Sequence, residues 1–185
     1  LDPGMTRLAS ENPLLTRLNR NALRDPRVSV VNADAFVWLA EAPPGAGLFD
    51  VVLVDFPDPH NFSLGKLYSR RFYQMLRARL APDGVVAVQT TSPLLARRSF
   101  WCIHKTIEAA GFHVEAYHAL VPSFGEWGFA LARLAPFAPP VDVIPGLRSL
   151  DRQTLHTLFV LGPDMGKVPA EVNLLNNQVL VRYYE

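Results

Sequence analysis

Two aspartates directly after an apolar run are the residues of this chain best suited to chemistry. Residues 49–54 form a valine-rich, largely apolar run that predicts a strand buried on both faces, as in a parallel sheet. Asp55 follows at its carboxyl end, and Pro57 and Pro59 stop the strand there. Ligands of open α/β sheets bind outside the carboxyl ends of strands. Asp55 and Asp58 could therefore bind a cation or accept a proton. The alternative is that Asp55 caps a turn and Asp58 is a solvated loop residue.

Alternating strand and helix patterns predict the fold that positions these aspartates. Strand patterns cover residues 28–31, 49–54 and 85–89, and helix patterns cover 2–20, 35–41, 69–80 and 94–110. Two further strands, at 112–118 and 127–134, follow with no helix between them. The fold class is therefore α/β, with a doubly wound, mostly parallel sheet and a C-terminal antiparallel hairpin.

The region after the hairpin is expected to be an appendage of the same domain. Residues 1–135 are predicted to form the α/β domain, and residues 136–185 a Pro-rich linker and a C-terminal extension that packs on it. Within the extension, the pattern predicts a helix at 150–161 and a short strand or tail at 178–184.

Polar side chains follow three consecutive predicted strands. Right-handed crossovers place such strands side by side, with their carboxyl ends together. We therefore expect Asp34, Asp55, Asp58 and Gln89 to line one crevice. Carboxylates and an amide suit a ligand with N–H donors or positive charge, such as a purine amine or an ammonium group. These residues include no Gly-rich loop of the kind that binds phosphate. They also include no His/Cys cluster, so no metal site is predicted.

Composition narrows the class of protein. The chain has 185 residues, 49% of them hydrophobic and 19% charged, which excludes a disordered or fibrous class. The net charge of +1 argues against electrostatic nucleic-acid binding. Cys102 is the only cysteine, so nothing indicates an oxidising compartment. No apolar run approaches the roughly 20 residues needed to span a bilayer. We expect this portion to be soluble and cytoplasmic.

Several short motifs fall in an order and spacing typical of one enzyme family. They are Asp55-x-x-Asp58-Pro59, Leu67-Tyr68-Ser69-x-x-Phe72-Tyr73, Leu80-x-Pro82-Asp83-Gly84, Val88-Gln89 and Gly125-Glu126-Trp127-Gly128-Phe129. Together they resemble the spermidine synthases, which are polyamine aminopropyltransferases with a Rossmann-like, methyltransferase-type fold. The local sequence around these motifs is most similar to the bacterial subgroup whose synthase domain follows a multi-pass membrane region. This resemblance implies that the parent protein is anchored in a membrane.

The resemblance implies an activity and a role for each site residue. The activity is aminopropyl transfer from decarboxylated S-adenosylmethionine, a co-substrate and not a prosthetic group, to putrescine or a related polyamine. Asp55 is then the catalytic acid/base residue, Asp58 the carboxylate of the amine pocket and Gln89 an amine-side hydrogen bonder. Asp34 and Ala35 match the adenine contact. A homodimer is expected by analogy with the family.

The sequence differs from the family pattern at two places, and these differences leave the identity of the acceptor amine undetermined. The family carries Gly-Pro-Ala where this chain has residues 60–63, His-Asn-Phe-Ser. It also carries an amine-contacting tyrosine at the position of Pro122. Two other functions remain as alternatives: methyl transfer from S-adenosylmethionine on the same fold, and a non-catalytic scaffold or dimerisation module.

The family's first strand, Gly-rich loop and acidic ribose ligand would all lie upstream of Leu1. We therefore expect this chain to be a piece of a longer protein, or a partner chain to complete its sheet. Purified residues 1–185 should accordingly show little activity. Measurable aminopropyl transfer by this segment alone would refute the expectation.

Overall fold

The computed structural model describes residues 2–43 and 47–184, and the chain divides into two compact units, with the boundary in sequence between Ala42 and Pro43. The first unit contains three short α-helices and one 3₁₀ turn. They are α1 (Pro3–Glu11), α2 (Pro13–Leu18), the turn Ala22–Arg24 and α3 (Ala35–Ala40).

Asn12 divides the helix that was predicted to run from Asp2 to Arg20. Its side-chain Oδ1 accepts hydrogen bonds from the backbone N–H of Leu14 at 2.9 Å and Leu15 at 3.3 Å. Pro13 then occupies the first turn of α2, where a missing N–H leaves no hydrogen bond unmade. Asp2 caps α1, since its Oδ1 accepts from Gly4 N at 2.8 Å. The single predicted helix is therefore two.

The prediction of a strand at residues 28–31 is wrong. These residues have no strand assignment and pair with no other part of the described chain. Val28 is 44% exposed and Val31 is 55% exposed. Valine favours strands only where a neighbouring strand supplies backbone partners and a surface to pack on, and this segment has neither.

The second unit is built on one four-stranded sheet. Its strands are β1 (Phe49–Val54), β2 (Leu80–Gln89), β3 (His113–Val121) and β4 (Gly125–Arg133), in the order β1-β2-β4-β3. β1 and β2 are parallel, and the other two pairings are antiparallel. The predicted α/β class and the antiparallel hairpin, now β3 and β4, are confirmed. The described sheet has one parallel and two antiparallel pairings, where a mostly parallel sheet was expected.

Helices connect and flank these strands. α4 (Phe62–Gly65), the 3₁₀ turn Lys66–Tyr68 and α5 (Arg70–Arg77) join β1 to β2, and α6 (Arg97–Ala109) joins β2 to β3. Two helices follow the hairpin, α7 (Arg152–Leu158) and α8 (Val179–Tyr184). Gly111 follows the end of α6, close to the predicted helix end at residue 110, with a φ of +95° that residues with a Cβ rarely adopt.

Two further element predictions are corrected. β2 begins at Leu80 and not at residue 85, because Phe49 pairs with Leu80 and Val51 with Val85, which leaves extra β2 residues bulged between them. Residues 179–184 form α8 and not a strand or tail. There, burial of Val179 (1% exposed) and Leu180 (0%) overrides the strand preference of a valine-rich sequence.

Only one face of the sheet is buried. Val54, Val86 and Val88 are 6%, 1% and 0% exposed, whereas Val51 and Leu53 on the alternate positions of β1 are 64% and 77% exposed. The expectation that β1 is buried on both faces is therefore wrong for the described chain, where β1 is an edge strand. The accessible face is the one on which the pocket described below opens.

Gly128 allows β4 to lie directly against α6. A Cβ built at this position would lie 2.4 Å from Phe100 Cε2 and 2.6 Å from the carbonyl oxygen of Thr91. Phe100 is fully buried and cannot yield without disturbing the core. The substitution Gly128→Ala should therefore lower the free energy of unfolding by about 2 kcal/mol or more, measured by thermal or denaturant unfolding.

The matched control is Gly47→Ala, because a Cβ at Gly47 meets nothing within 4 Å. It should shift the free energy of unfolding by less than about 0.5 kcal/mol. Equal stabilities for the two variants would contradict the close-approach argument.

Candidate active site

A pocket of about 680 Å³ opens where the parallel strands β1 and β2 end, beside the β3–β4 hairpin. Its polar side chains are Asp55, Asp58 and Gln89. The rest of its wall is apolar or aromatic, and the rings that line it are Phe56, Tyr117, Phe124, Trp127 and Phe129. The site thus combines two carboxylates and one amide with a largely apolar surface.

Neither carboxylate is neutralised by a basic side chain. Asp55 is exposed at the end of β1, and Asp58 is half-buried in the loop that follows. Among residues 2–43 and 47–184, no lysine or arginine forms an ion pair with either one. Two like charges beside apolar walls create a negative potential that attracts cations.

The side-chain amide oxygen of Gln89 faces the carboxylate of Asp58, so two hydrogen-bond acceptors lie next to each other. The amide oxygen accepts from Trp127 Nε1 at 2.8 Å, and the amide nitrogen donates to Phe56 O and Tyr68 Oη, each at 3.2 Å. In the reverse orientation of the amide, Nε2 would donate to Asp58. The same N–H₂ group would then face the indole N–H of Trp127, and two donors repel each other. We therefore assign the orientation in which the amide oxygen accepts from Trp127. The atom 3.3 Å from Asp58 Oδ1 is then the amide oxygen. One donor group placed between them would satisfy both.

Tyr68 fixes the loop that carries the aspartates. Its hydroxyl lies 3.1 Å from Phe56 O and 3.2 Å from Pro57 O, and the residue is fully buried. Burial, and then the negative charges of Asp58 and Asp55, raise the pKa of Tyr68. The phenol therefore remains a hydrogen-bond donor at any physiological pH.

The backbone of Thr91, just after the end of β2, has a strained conformation. Its φ of +69° lies in the left-handed region, which β-branched residues rarely enter. The conformation is held by β4, because Gly128 N donates to Thr91 O at 2.8 Å and Thr90 N donates to Gly128 O at 3.0 Å. Strain of this kind tends to concentrate at functional sites.

The hairpin wall of the pocket is tied to the C-terminal extension. The ring of His118 bonds Glu126 Oε1 through Nδ1 at 2.5 Å and the carbonyl oxygen of Val160 through Nε2 at 2.9 Å. Tyr117, the neighbour of His118, stacks on Phe129 at 5.1 Å between ring centroids. These contacts hold the aromatic wall in one arrangement.

The structure brings together three of the five residues singled out from the sequence. Asp55, Asp58 and Gln89 line the same pocket, while their individual roles stay predictions. Asp34 caps α3, with Oδ1 accepting from Phe36 N at 2.9 Å, and Ala35 is the first residue of that helix. Both lie in the first unit, so their expected contact with an adenine also stays a prediction.

Tyr184 is a residue of this site that sequence reasoning missed. Its hydroxyl donates to Asp58 Oδ2 at 2.5 Å, across 126 positions of sequence. No motif spacing links the end of the chain to the loop after β1. The contact follows from the path of the C-terminal extension, which tertiary structure alone reveals.

The described residues contain neither a cluster of metal-binding side chains nor a helix suited to crossing a bilayer. No group of three or more His, Cys, Asp or Glu side chains within 2–43 and 47–184 is arranged to hold a metal ion. In the same ranges, every helix is too short or too polar to cross a lipid bilayer.

In open α/β sheets, a pocket at the carboxyl ends of the parallel strands is the usual place for a ligand to bind. Residues 10–136 match the spermine/spermidine synthase domain. The chain therefore belongs to the spermine/spermidine synthase family.

Curated relatives match the whole chain. It is 53% identical to a protein named polyamine aminopropyltransferase 2 of Ralstonia nicotianae, over 100% of this chain and 36% of that protein. It is 48% identical to a polyamine aminopropyltransferase of Leptospira interrogans, again over 100% of this chain and 36% of that protein. The chain thus spans about a third of the length of these relatives.

Solved structures show the same fold. A spermidine synthase in complex with the transition state analogue AdoDATO matches with a TM-score of 0.63 at 23% identity, over 82% of this chain and 56% of that one. Spermidine synthase from Thermotoga maritima matches with a TM-score of 0.60 at 20% identity, over 82% and 54%.

Proposed function

We propose that the complete protein transfers an aminopropyl group from decarboxylated S-adenosylmethionine to putrescine or a related polyamine. The observation that carries this proposal is a pair of carboxylates, Asp55 and Asp58, in an aromatic pocket with Gln89, where no lysine or arginine of the described ranges pairs with either one. The names of the curated relatives support it. So does the transition state analogue bound to one structural relative.

The pocket suits a diamine because a diamine has two cationic ends and an apolar middle. Asp58 Oδ1 and Gln89 Oε1 would accept from the ammonium group far from the reaction. The methylene chain would lie against Trp127 and Phe124, whose ring centroids are 5.4 Å apart. Aromatic faces also attract a cation that approaches them.

Asp55 is then left for the reacting amine. A primary amine is a nucleophile only after it loses a proton, and an exposed carboxylate at the pocket can accept that proton. The nitrogen forms a bond to the carbon next to the sulfonium sulfur, the carbon–sulfur bond breaks with its electrons going to sulfur, and neutral methylthioadenosine leaves. Because the sulfonium is already activated, alignment of amine and sulfonium should contribute more than proton transfer does.

The nucleoside end of the reaction is assigned to other residues. Asp34 and Ala35 are proposed to contact the adenine, with the acidic side chain at the amino end of α3. The remaining contacts would come from parts of the complete protein outside this chain. The edge position of β1, with Val51 and Leu53 exposed, supports further sheet pairing or packing at this side.

The substitution Asp55→Asn tests the assigned proton acceptor. Asparagine keeps the size of the side chain but cannot take the proton, so kcat for amine-dependent release of methylthioadenosine should fall about 100-fold or more. Part of the lost rate should return at high pH, where the free amine forms without help. The assay measures methylthioadenosine at saturating concentrations of both substrates.

Asp50→Asn is the matched control, since Asp50 is an exposed aspartate at the opposite end of the same strand. It should leave kcat within about twofold of the parent. Undiminished methylthioadenosine release by the Asp55 variant would overturn catalysis by this site.

A further inference from the structure

The two oxygens of Asp58 face different parts of the chain, Oδ1 the sheet strand β2 and Oδ2 the C-terminal extension. Oδ1 faces the Gln89 amide at 3.3 Å, and Oδ2 accepts the hydroxyl of Tyr184 at 2.5 Å. Burial, followed by the hydrogen bond to Asp58, raises the pKa of Tyr184 to about 12. The phenol is therefore a neutral donor that leaves the charge of Asp58 intact.

The helix that carries Tyr184 is firmly seated. α8 packs against α4 and α6, and its Val179, Leu180 and Val181 are 1%, 0% and 4% exposed. Gly65 of α4 permits this approach, since a Cβ there would lie 2.7 Å from Val181 Cγ2. Tyr184 is thus delivered to Asp58 by a packed element and not by a loose chain end.

Asn173 locks the extension that leads into α8. This fully buried side chain donates through Nδ2 to Gly65 O at 2.9 Å and accepts through Oδ1 from Leu180 N at 3.3 Å. Its backbone N–H donates to Thr106 Oγ1 of α6 at 2.9 Å. One residue therefore joins α4, α6 and α8, the elements that fix the position of Tyr184.

We propose that Tyr184 is a positioning residue that determines affinity for the acceptor amine by orienting the Asp58 carboxylate. The inference rests on the proposed aminopropyl transfer and deepens it. The hydroxyl holds Oδ2, so that Oδ1 stays directed at Gln89 and at the distal ammonium group of the acceptor. The C-terminal extension, which lies beyond the matched family domain at 10–136, thereby becomes part of the amine site.

The test is steady-state kinetics of the complete protein with Tyr184→Phe, which keeps the ring and removes only the hydroxyl. The KM for the diamine should rise about 5- to 20-fold, less than the full effect of a charge-assisted hydrogen bond, because the hydroxyl acts on the amine only through Asp58. Both kcat and the KM for decarboxylated S-adenosylmethionine should stay within about twofold. A general structural defect would change all three parameters.

Tyr183→Phe is the matched control on the same helix. The Tyr183 hydroxyl donates to Glu171 Oε1 and accepts from Arg98 Nη2, each at 3.1 Å, and does not contact Asp58. All three kinetic parameters should be unchanged in this variant. In an Asp58→Asn background, Tyr184→Phe should add little further increase in KM, because the two residues act as one unit.

Two results separate failure of this inference from failure of the proposed function. An active parent protein whose diamine KM is unchanged by Tyr184→Phe, or raised equally by Tyr183→Phe, overturns the role of Tyr184 alone. A parent protein that releases no methylthioadenosine with any diamine overturns the proposed function and this inference with it.

Discussion

The site depends on one electrostatic constraint: acidic side chains are held beside aromatic walls, and no lysine or arginine of the described residues pairs with them. A carboxylate that loses water is stable only when hydrogen bonds or positive charge replace it. Asp58 receives a hydroxyl on Oδ2, while its other oxygen lies 3.3 Å from the amide oxygen of Gln89. Two acceptors at this distance repel each other until a donor joins them. An ammonium group supplies both the charge and the donors, and this is the basis for proposing a polyamine as the ligand.

The fold can be understood as the means of holding that arrangement. β1 ends at a proline-containing loop that places Asp55 and Asp58, and the buried Tyr68 bonds the carbonyls of the same loop. β2 delivers Gln89 from the adjacent parallel strand. The hairpin supplies Trp127, whose indole N–H fixes the Gln89 amide, and the extension supplies the hydroxyl of Tyr184. Four separate parts of the chain thus converge on one carboxylate.

Local signals in the sequence were enough to find the pocket but not to complete it. The strand run before Asp55 and the polar residue after the next strand predict convergence, because parallel strands end at one edge of a sheet. The prediction of a strand at residues 28–31 failed because a strand needs a neighbouring strand to pair with, and local sequence does not show whether one is present. α8 was missed because burial of Leu180 and its neighbours decides between helix and strand there. Tyr184 reaches Asp58 across 126 positions, a contact that no periodicity encodes.

Calorimetric titration of putrescine into the complete protein tests most directly whether Asp58 binds a cationic amine. With methylthioadenosine present, putrescine should bind, and more weakly at high salt, since its ammonium groups meet partly exposed charges. Asp58→Asn should weaken binding at least about tenfold, and Asp50→Asn should leave it unchanged. Equal affinity of the parent protein and the Asp58 variant for putrescine would contradict the account.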